Sequence, residues 1–354
     1  MGERITMGLF LQPMSQDLGW GREVFALALA LQMLTWGILQ VPAGMVADTF
    51  GAGRVVVLCS AASVVALWWM SNVSSALELL LSFGLLMGLG MSGIFGVVIS
   101  AAGRAVPPAQ RTVAVGIVTA GTSLGQVLLF PLGQWLIETS GWAMTLRVYA
   151  LLMLGLLPLV FSLSGKPITP DNDLSPVGLV QALKEVRGNR SFWLVTFGFT
   201  ICGFHIFFIS THLPAYLSDQ GMAGHEAALA LSLISLANLF GSFYWGWLGG
   251  RILKKYALVF LFGLRTVALV LFLAMPLSPA SLIIFTLAVG FTWLGTVPLV
   301  SGLIAQLFGV RYLATLFGFV TLGHQVGGFF GSWLGGLDFD HFGSYDFIWG
   351  LCVL

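Results

Sequence analysis

The sequence predicts an all-α membrane protein built from two related six-helix bundles, and three observations carry that prediction. First, 58% of its 354 residues are hydrophobic and 8% are charged, with a mean hydropathy of +0.96. A water-soluble globule carries about 25% charged residues. Second, apolar stretches of roughly 20 residues recur between polar breaks, the length that crosses a hydrocarbon core of about 30 Å as a helix. Barrel strands would instead alternate over about 10 residues. Third, the chain echoes itself at a fixed offset of 202 residues: Gly93 falls on Gly295, Gly116 on Gly318, Thr119 on Thr321, Gly121 on Gly323, Gly125 on Gly327, Gly133 on Gly335, and Asp17 and Gly19 on Asp219 and Gly221. One offset shared across several segments is the signature of an internal repeat.

In chain order, residues 5–15 form a first apolar run that ends in the polar group Gln16 to Gly21. Spans are expected at about 24–47, 54–71, 77–101, 112–137 and 142–163. The stretch 164–190 holds Pro167, Pro170, Asp171, Asn172, Asp173, Pro176, Lys184, Arg187 and Arg190 and reads as a linker. The second set is expected at about 191–218, 226–248, 256–275, 280–303 and 312–337, followed by a stub at 345–354. The domains are therefore 1–163, a linker at 164–190, and 191–354. The offset puts the twin of span seven about eleven residues before Met1 and the twin of span six about eleven after Leu354. The expectation is a twelve-helix protein clipped within its first and last helices, the alternative being a ten-helix protein with two half-helices, each too short to span.

Lys and Arg concentrate in one set of loops. Arg54, Arg104, Arg111, Lys166, Lys184, Arg187, Arg190, Arg251, Lys254, Lys255 and Arg311 share a side, and only Arg22 and Arg147 flank the other. Basic loops stay cytoplasmic, so the loops at 48–54, 102–111, 164–190, 249–255 and 304–312 are expected inside, in a cell inner membrane. A net charge of +1 points to no nucleic acid or other polyanionic partner. Cys59, Cys202 and Cys352 lie in apolar runs and suggest neither a disulfide framework nor a zinc spacing. No nucleophile and base stand at useful spacing, so an enzyme is not expected, and neither is a cofactor. A monomer in the lipid bilayer is expected.

Two related charged turns stand at equal depth in the halves. Gly44-x-x-x-Asp48-x-x-Gly51 with Arg54 follows span two, and Gly246-Trp247-Leu248-Gly249-Gly250-Arg251 follows its twin. Together with the two halves and the central linker, this motif resembles the major facilitator superfamily, whose parallel repeats rock around a midplane site. Gly8 to Met14, Arg111 to Gln126, Cys202-Gly203-Phe204-His205, Thr211 to Leu217 and Phe308 to Tyr312 resemble bacterial members of the monocarboxylate transporter family. That resemblance implies proton-linked or exchange transport of small organic anions. The chain departs from the family pattern in several places. Ala52-Gly53 replaces a basic pair, Gly250 stands where an acid would be, and Asn238 and Ser242 fall where characterised members carry Asp and Arg. The antiporter Gly-Pro step is absent from Gly116 to Gly125, which leans towards symport.

An ionisable residue inside a span is a functional candidate because it is expensive there. Arg4 stands about 14 residues, roughly 21 Å, from the outer end of its helix, with Glu3 beside it. Aligning Pro13 with Pro214 places Arg4 on His205, and the family resemblance implies that Arg4 contacts substrate. A cytoplasmic flanking charge is the bland alternative for Arg4. His324 lies near the middle of span eleven and resembles the position where an oxalate-exchanging relative carries a lysine; a histidine hydrogen-bonded between helices is its alternative. His324, His205 and Glu3 compete as proton carriers. Gln32, Gln126, Asn238 and Gln325 either line the cavity or bond neighbouring helices. His212 is too far from His205 for one metal to bind both. Arg265 reads as a structural residue whose stem snorkels towards the cytoplasm. Gly84, Gly88, Gly116, Gly121 and Gly125 read as close-approach positions. The gating residues are Gly44, Asp48, Gly51, Arg54, Gly246 and Arg251. The expected function is secondary active transport of a small organic anion by alternating access, with or without a coupled proton. Efflux of a lipophilic compound and a non-transporting sensor are the alternatives.

Overall fold

The computed structural model describes residues 6–95, 97–98, 111–160, 184, 186–308 and 313–353. In hydrocarbon the main chain must satisfy its own N–H and C=O groups, and among the described residues every regular element is a helix. α1 is Gly8–Leu18, α2 Arg22–Phe50, α3 Ala52–Met70, and α4 Ala76–Ser92 with a π-helical stretch at Leu80–Met87. α5 and α6 run as Arg111–Val160 and are divided at Gly141, whose φ is +79°. α7 is Arg190–Asp219, α8 Gly224–Gly249 and α9 Lys254–Ala274. α10 is split into α10a (Pro279–Phe291) and α10b (Thr296–Phe308), and α11 (Leu313–Phe342) and α12 (Asp346–Val353) complete the chain. Seven described segments are long and apolar enough to cross a membrane.

The repeat is visible in the backbone. Gly19, between α1 and α2, has φ +67°, and Gly221, between α7 and α8, has φ +83°. Gly141 and Gly343, again 202 apart, turn the chain at +79° and +68°. Only glycine adopts this left-handed region without a Cβ penalty. Small residues also set helix approach. Gly84 and Gly88 of α4 meet Leu31 and Thr35 of α2, while Gly90 and Gly93 meet Ser63 and Cys59 of α3. Gly327 and Gly331 of α11 lie on the main chain of Thr200 and Phe204 in α7. Gly121 and Gly125 differ from this expectation, since nothing described comes within 4 Å of a Cβ built there.

The turn expected over 44–54 is tighter than its charges suggest. α2 stays helical through Phe50 and reverses at the single residue Gly51, with φ +98°, before α3 begins at Ala52. Asp48 thus sits in the last turns of a helix because the only proline nearby, Pro42, precedes it. The surroundings of Gly44 and the side chain of Asp48 lie outside what is described. In the second half α8 continues through Gly246 to Gly249. The loops at 102–110, 164–183 and 309–312 also lie outside the described residues, but Arg111 opens α5 and residues 304–308 belong to α10b.

Among the described residues, three seams join the halves. α1 meets α7 where Gly8 lies on the carbonyls of Ser210 and Thr211. α2 meets α11 at Ala26 and Gly336 and again at Gly37 and Gln325. α5 meets α8 from Gln134 and Gly224 down to Ser123 and Asn238. These contacts run from the end of the molecule that carries Arg22 to about mid-span. Towards the end that carries Arg54, Ile38, Phe240 and Phe243 are exposed.

Candidate functional site

At the Arg22 end, the first residue of α2 reaches across to the other half. The Arg22 guanidinium donates to both carboxylate oxygens of Asp219 at 2.6 and 2.7 Å, a two-pronged pair that suits its planar fork. It also donates to the Tyr345 hydroxyl at 2.8 Å and lies 3.6 Å above the Phe339 ring. Arg22 is 8% exposed, so water screens the pair little. Burial holds the Tyr345 phenol above the ordinary tyrosine range, so it acts as a neutral hydroxyl. His212 Nε2 bonds the Ser332 carbonyl at 2.6 Å. A carbonyl only accepts, so Nε2 carries the proton and Nδ1 is free to accept from Tyr345 at 3.4 Å. The result is one polar chain from Asp219 through Arg22 and Tyr345 to His212.

A second contact reinforces it. Asp340 of α11 accepts from the main-chain N–H groups of Arg22 and Glu23 at 3.0 and 2.7 Å. These are first-turn donors with no helical acceptor, at the end of α2 where the helix dipole favours an anion. Trp333 then donates to Glu23 at 3.1 Å. Sequence reading missed this cluster, since Arg22 is there only a flanking charge. Asp219 stands out only as the echo of Asp17. The spacing of Glu138 and Asp340, again 202, was the available signal.

At mid-span the α5–α8 seam is polar. Ser235 donates to Gln126 at 2.9 Å, and Asn238 Nδ2 donates to Ser123 at 3.3 Å. Asn238 Oδ1 accepts from Ser242 at 2.9 Å and from the Leu294 N–H at 3.0 Å. Leu294 lies in the break of α10, so Asn238 both ties the halves and serves unwound backbone. Gln126 and Asn238 thus bond neighbouring helices. Gln32 is buried where Gly88 of α4 meets its carbonyl. Gln325 packs on Gly37 and its Oε1 has no partner.

The break in α10 also collects Arg265. Its guanidinium donates to the carbonyls of Thr292 and Trp293, to the Thr292 hydroxyl and to Cys202 Sγ. At 1% exposure it does not snorkel. Its donors fit the carbonyls freed where α10a ends, and that fit turns it inward. His324 presents its ring to Phe199 and Phe207 of α7, with centroids 4.6 and 5.5 Å away, and its Nε2 has no partner. His205 turns to the main chain of Cys352 in α12, and its Nδ1 has no partner. His205 and His324 therefore both point into the C-terminal half. Arg4 and Glu3 lie outside the described residues. Arg54 is exposed, Arg251 stacks 4.0 Å from the Trp247 ring, and Gly246 faces Pro298.

The family description "Major Facilitator Superfamily" matches residues 1–349. An uncharacterised MFS-type transporter of Bacillus subtilis, YcxA, is 26% identical over 99% of this chain and 88% of its own. Monocarboxylate transporter 11 of Mus musculus is 29% identical over 96% of this chain and 76% of its own. The oxalate:formate antiporter of Oxalobacter formigenes is 23% identical over 97% and 82%. Among solved structures, a bacterial homologue of the human lysosomal transporter Spinster superposes with a TM-score of 0.80 at 16% identity, covering 96% of this chain and 80% of that one. The nucleoside transporter NupG gives 0.78 at 14% identity over 99% and 96%.

Proposed function

The chain belongs to the Major Facilitator Superfamily, and from that premise we propose that it is a secondary active transporter for a small organic anion, a monocarboxylate in the first instance. The observation that carries this reading is the placement of charge. Arg265, His205 and His324 are buried within the spans, while the described carboxylates stand at the ends of helices, Asp17, Glu138, Asp219 and Asp340 among them. A basic interior attracts an anion and repels a cation. The likeness to a monocarboxylate transporter and to an oxalate:formate antiporter supports the same substrate class. In this reading Arg4 holds the carboxylate, His324 or His205 carries a coupled proton, and Gln32 borders the cavity.

Positive charge in the short loops assigns the Arg54 end to the cytoplasm of a bacterial inner membrane. The Arg22 end is then the outer one, and its polar chain is the contact that alternating access must break. On the inner side Asp48, Gly51 and Arg54, with Gly246 and Arg251, form the opposing gate. The two transporting halves are 1–163 and 191–354, and a monomer suffices. Counterflow in proteoliposomes tests the substrate: labelled lactate-like acids should accumulate against unlabelled acid inside. Accumulation of lipophilic cations instead, with no acid moved, would overturn the anion reading.

A further inference from the structure

Two cations flank the spans at the Arg22 end, and they are satisfied differently. Arg22 has the Asp219 carboxylate. Arg147, in the second turn of α6, donates from Nε to the Ser71 hydroxyl at 3.3 Å and from Nη2 to Asn72 Oδ1 at 2.8 Å. Both acceptors belong to the turn after α3, where Ser71 and Asn72 in turn donate to the Trp68 carbonyl at 2.7 and 2.8 Å. These oxygens are neutral, and among the described residues no carboxylate pairs with Arg147. A guanidinium stays protonated and offers five N–H donors. A full positive charge therefore stands at this corner with donors to spare.

Beside it a groove runs between α3 and α6. Its walls include Val64, Val65 and Trp68 of α3 and Leu151 and Leu154 of α6, with Asn72 at the mouth, and its volume is about 490 Å³. Small-molecule sites span about 300 to 1,000 Å³. Leu154 lies seven residues beyond Arg147, a descent of about 10 Å along the helix. Val65, Trp68, Leu151 and Leu154 are exposed. An apolar face alone selects nothing in a membrane, but here the order of groups does. The cation and the amide stand at the ends of the helices, the Trp68 ring lies 5.9 Å from the guanidinium, and only hydrocarbon walls follow. Interfacial aromatic rings mark the headgroup level, so the groove has the profile of a phospholipid, with a phosphate site above and an acyl-chain site below. The other half lacks it: 202 residues on, Arg147 is replaced by Trp349, which is 2% exposed and packs on Phe285.

We propose that the α3–α6 groove binds one anionic phospholipid from the leaflet at the Arg22 end, with its phosphodiester on Arg147 and one acyl chain between Val65 and Leu151. The site stands apart from the transport path and does not depend on which substrate is carried. The planar guanidinium suits two phosphate oxygens, and the donors that Ser71 and Asn72 leave unused are those the phosphate takes. Net charge sets the choice of lipid. An anionic headgroup neutralises Arg147, whereas a choline headgroup brings a second cation to the same place. Because Arg147 already ties α6 to the turn after α3, the bound lipid clamps that pair of helices and stabilises the N-terminal half by mass action.

Photo-crosslinking in reconstituted protein tests the site. Phosphatidylcholine vesicles hold a trace of diazirine-tailed lipid, either phosphatidylglycerol or phosphatidylcholine, and the labelled peptides are identified by mass spectrometry. Phosphatidylglycerol should label residues 64–72 and 150–154 about fivefold more than phosphatidylcholine does, the factor expected for one basic side chain at a membrane surface. Arg147→Gln should erase that preference and leave labelling beside the basic loops of the Arg54 end unchanged. Because Arg147→Gln also removes a tie to α3, Leu151→Trp provides a second arm. It fills the groove from an exposed position and keeps the cation, so labelling by phosphatidylglycerol should drop to the phosphatidylcholine level. Equal labelling by the two lipids in the parent protein would mean ordinary bilayer contact and overturn the site, as would an undiminished preference in Arg147→Gln. No labelling by either lipid, together with disulfide-linked dimers of Val65→Cys, would give the groove to a second copy of this chain and overturn it equally.

Discussion

The two corners of the Arg22 end occupy equivalent places in the repeat and are built differently. At one, Asp340 of α11 caps the first turn of α2. At the other, Glu138 of α5 stands 202 residues earlier and faces Gly224, the first residue of α8. The acid and the helix start are shared, but Arg22 is replaced by Gly224 in the second corner. Asp219 is matched by Asp17, which accepts from Trp142 in its own half at 2.8 Å. Glu138 accepts from Gln134 at 2.8 Å, a neighbour on its own helix. Pseudo-symmetry thus supplies the frame of the closure, and the exchange of Arg22 for Gly224, with Ala143 and Ile137 in place of Tyr345 and Phe339, puts the strong contact between the halves at one corner only. Opening of this end should be held mainly by the α2–α11 corner.

The largest expected effect tests that asymmetry directly. Removing one partner of a buried ion pair costs about 3 kcal/mol here, the low end of the usual range because the Asp219 side chain is 28% exposed. Arg22→Gln should therefore speed labelling of Ala26→Cys, at the α2–α11 seam, by an impermeant maleimide about 100-fold. Asp219→Asn should match it, and the double variant should add little because both remove one interaction. Independent, additive effects would dissolve the latch.

The next effect sharpens the comparison where the corners should agree. Gly141→Ala and Gly343→Ala both force a side chain into a left-handed turn, with nothing within 4 Å to relieve or worsen it. Each should cost about 1 to 2 kcal/mol, and thermal unfolding in detergent should show equal losses. A large inequality would mean that the repeat does not extend to these turns. Asp340→Asn keeps an acceptor but removes the charge at the α2 start, an effect of about 1 kcal/mol or a fivefold rise in seam labelling. Glu138→Gln, at the exposed corner, should change labelling at the α5–α8 seam less than about twofold. An effect of Glu138→Gln as large as that of Arg22→Gln would erase the difference between the corners.

What the sequence by itself determined is what depends on local composition and on the repeat. Apolar length set the spans, since unpaired main-chain groups are costly in lipid. The 202-residue echo named turn glycines, Gly19 and Gly221, that the backbone then places in the same left-handed conformation. The family was legible in Gly44 to Arg54 even though Asp48 belongs to a helix end and not to a loop. Only the tertiary structure decided which polar groups meet. α2 and α8 are apolar on nearly every face, so no periodicity tells which face turns inward, and the rotation of a helix follows from its packing partners. Arg22 therefore finds Asp219 across 197 residues. Arg265 turns into the break of α10 and does not reach a membrane face, because the carbonyls freed there need donors. His205 faces α12 and His324 faces α7, inside the C-terminal half, because glycines of α7 and α11 bring those helices together at Gly203 and Gly327.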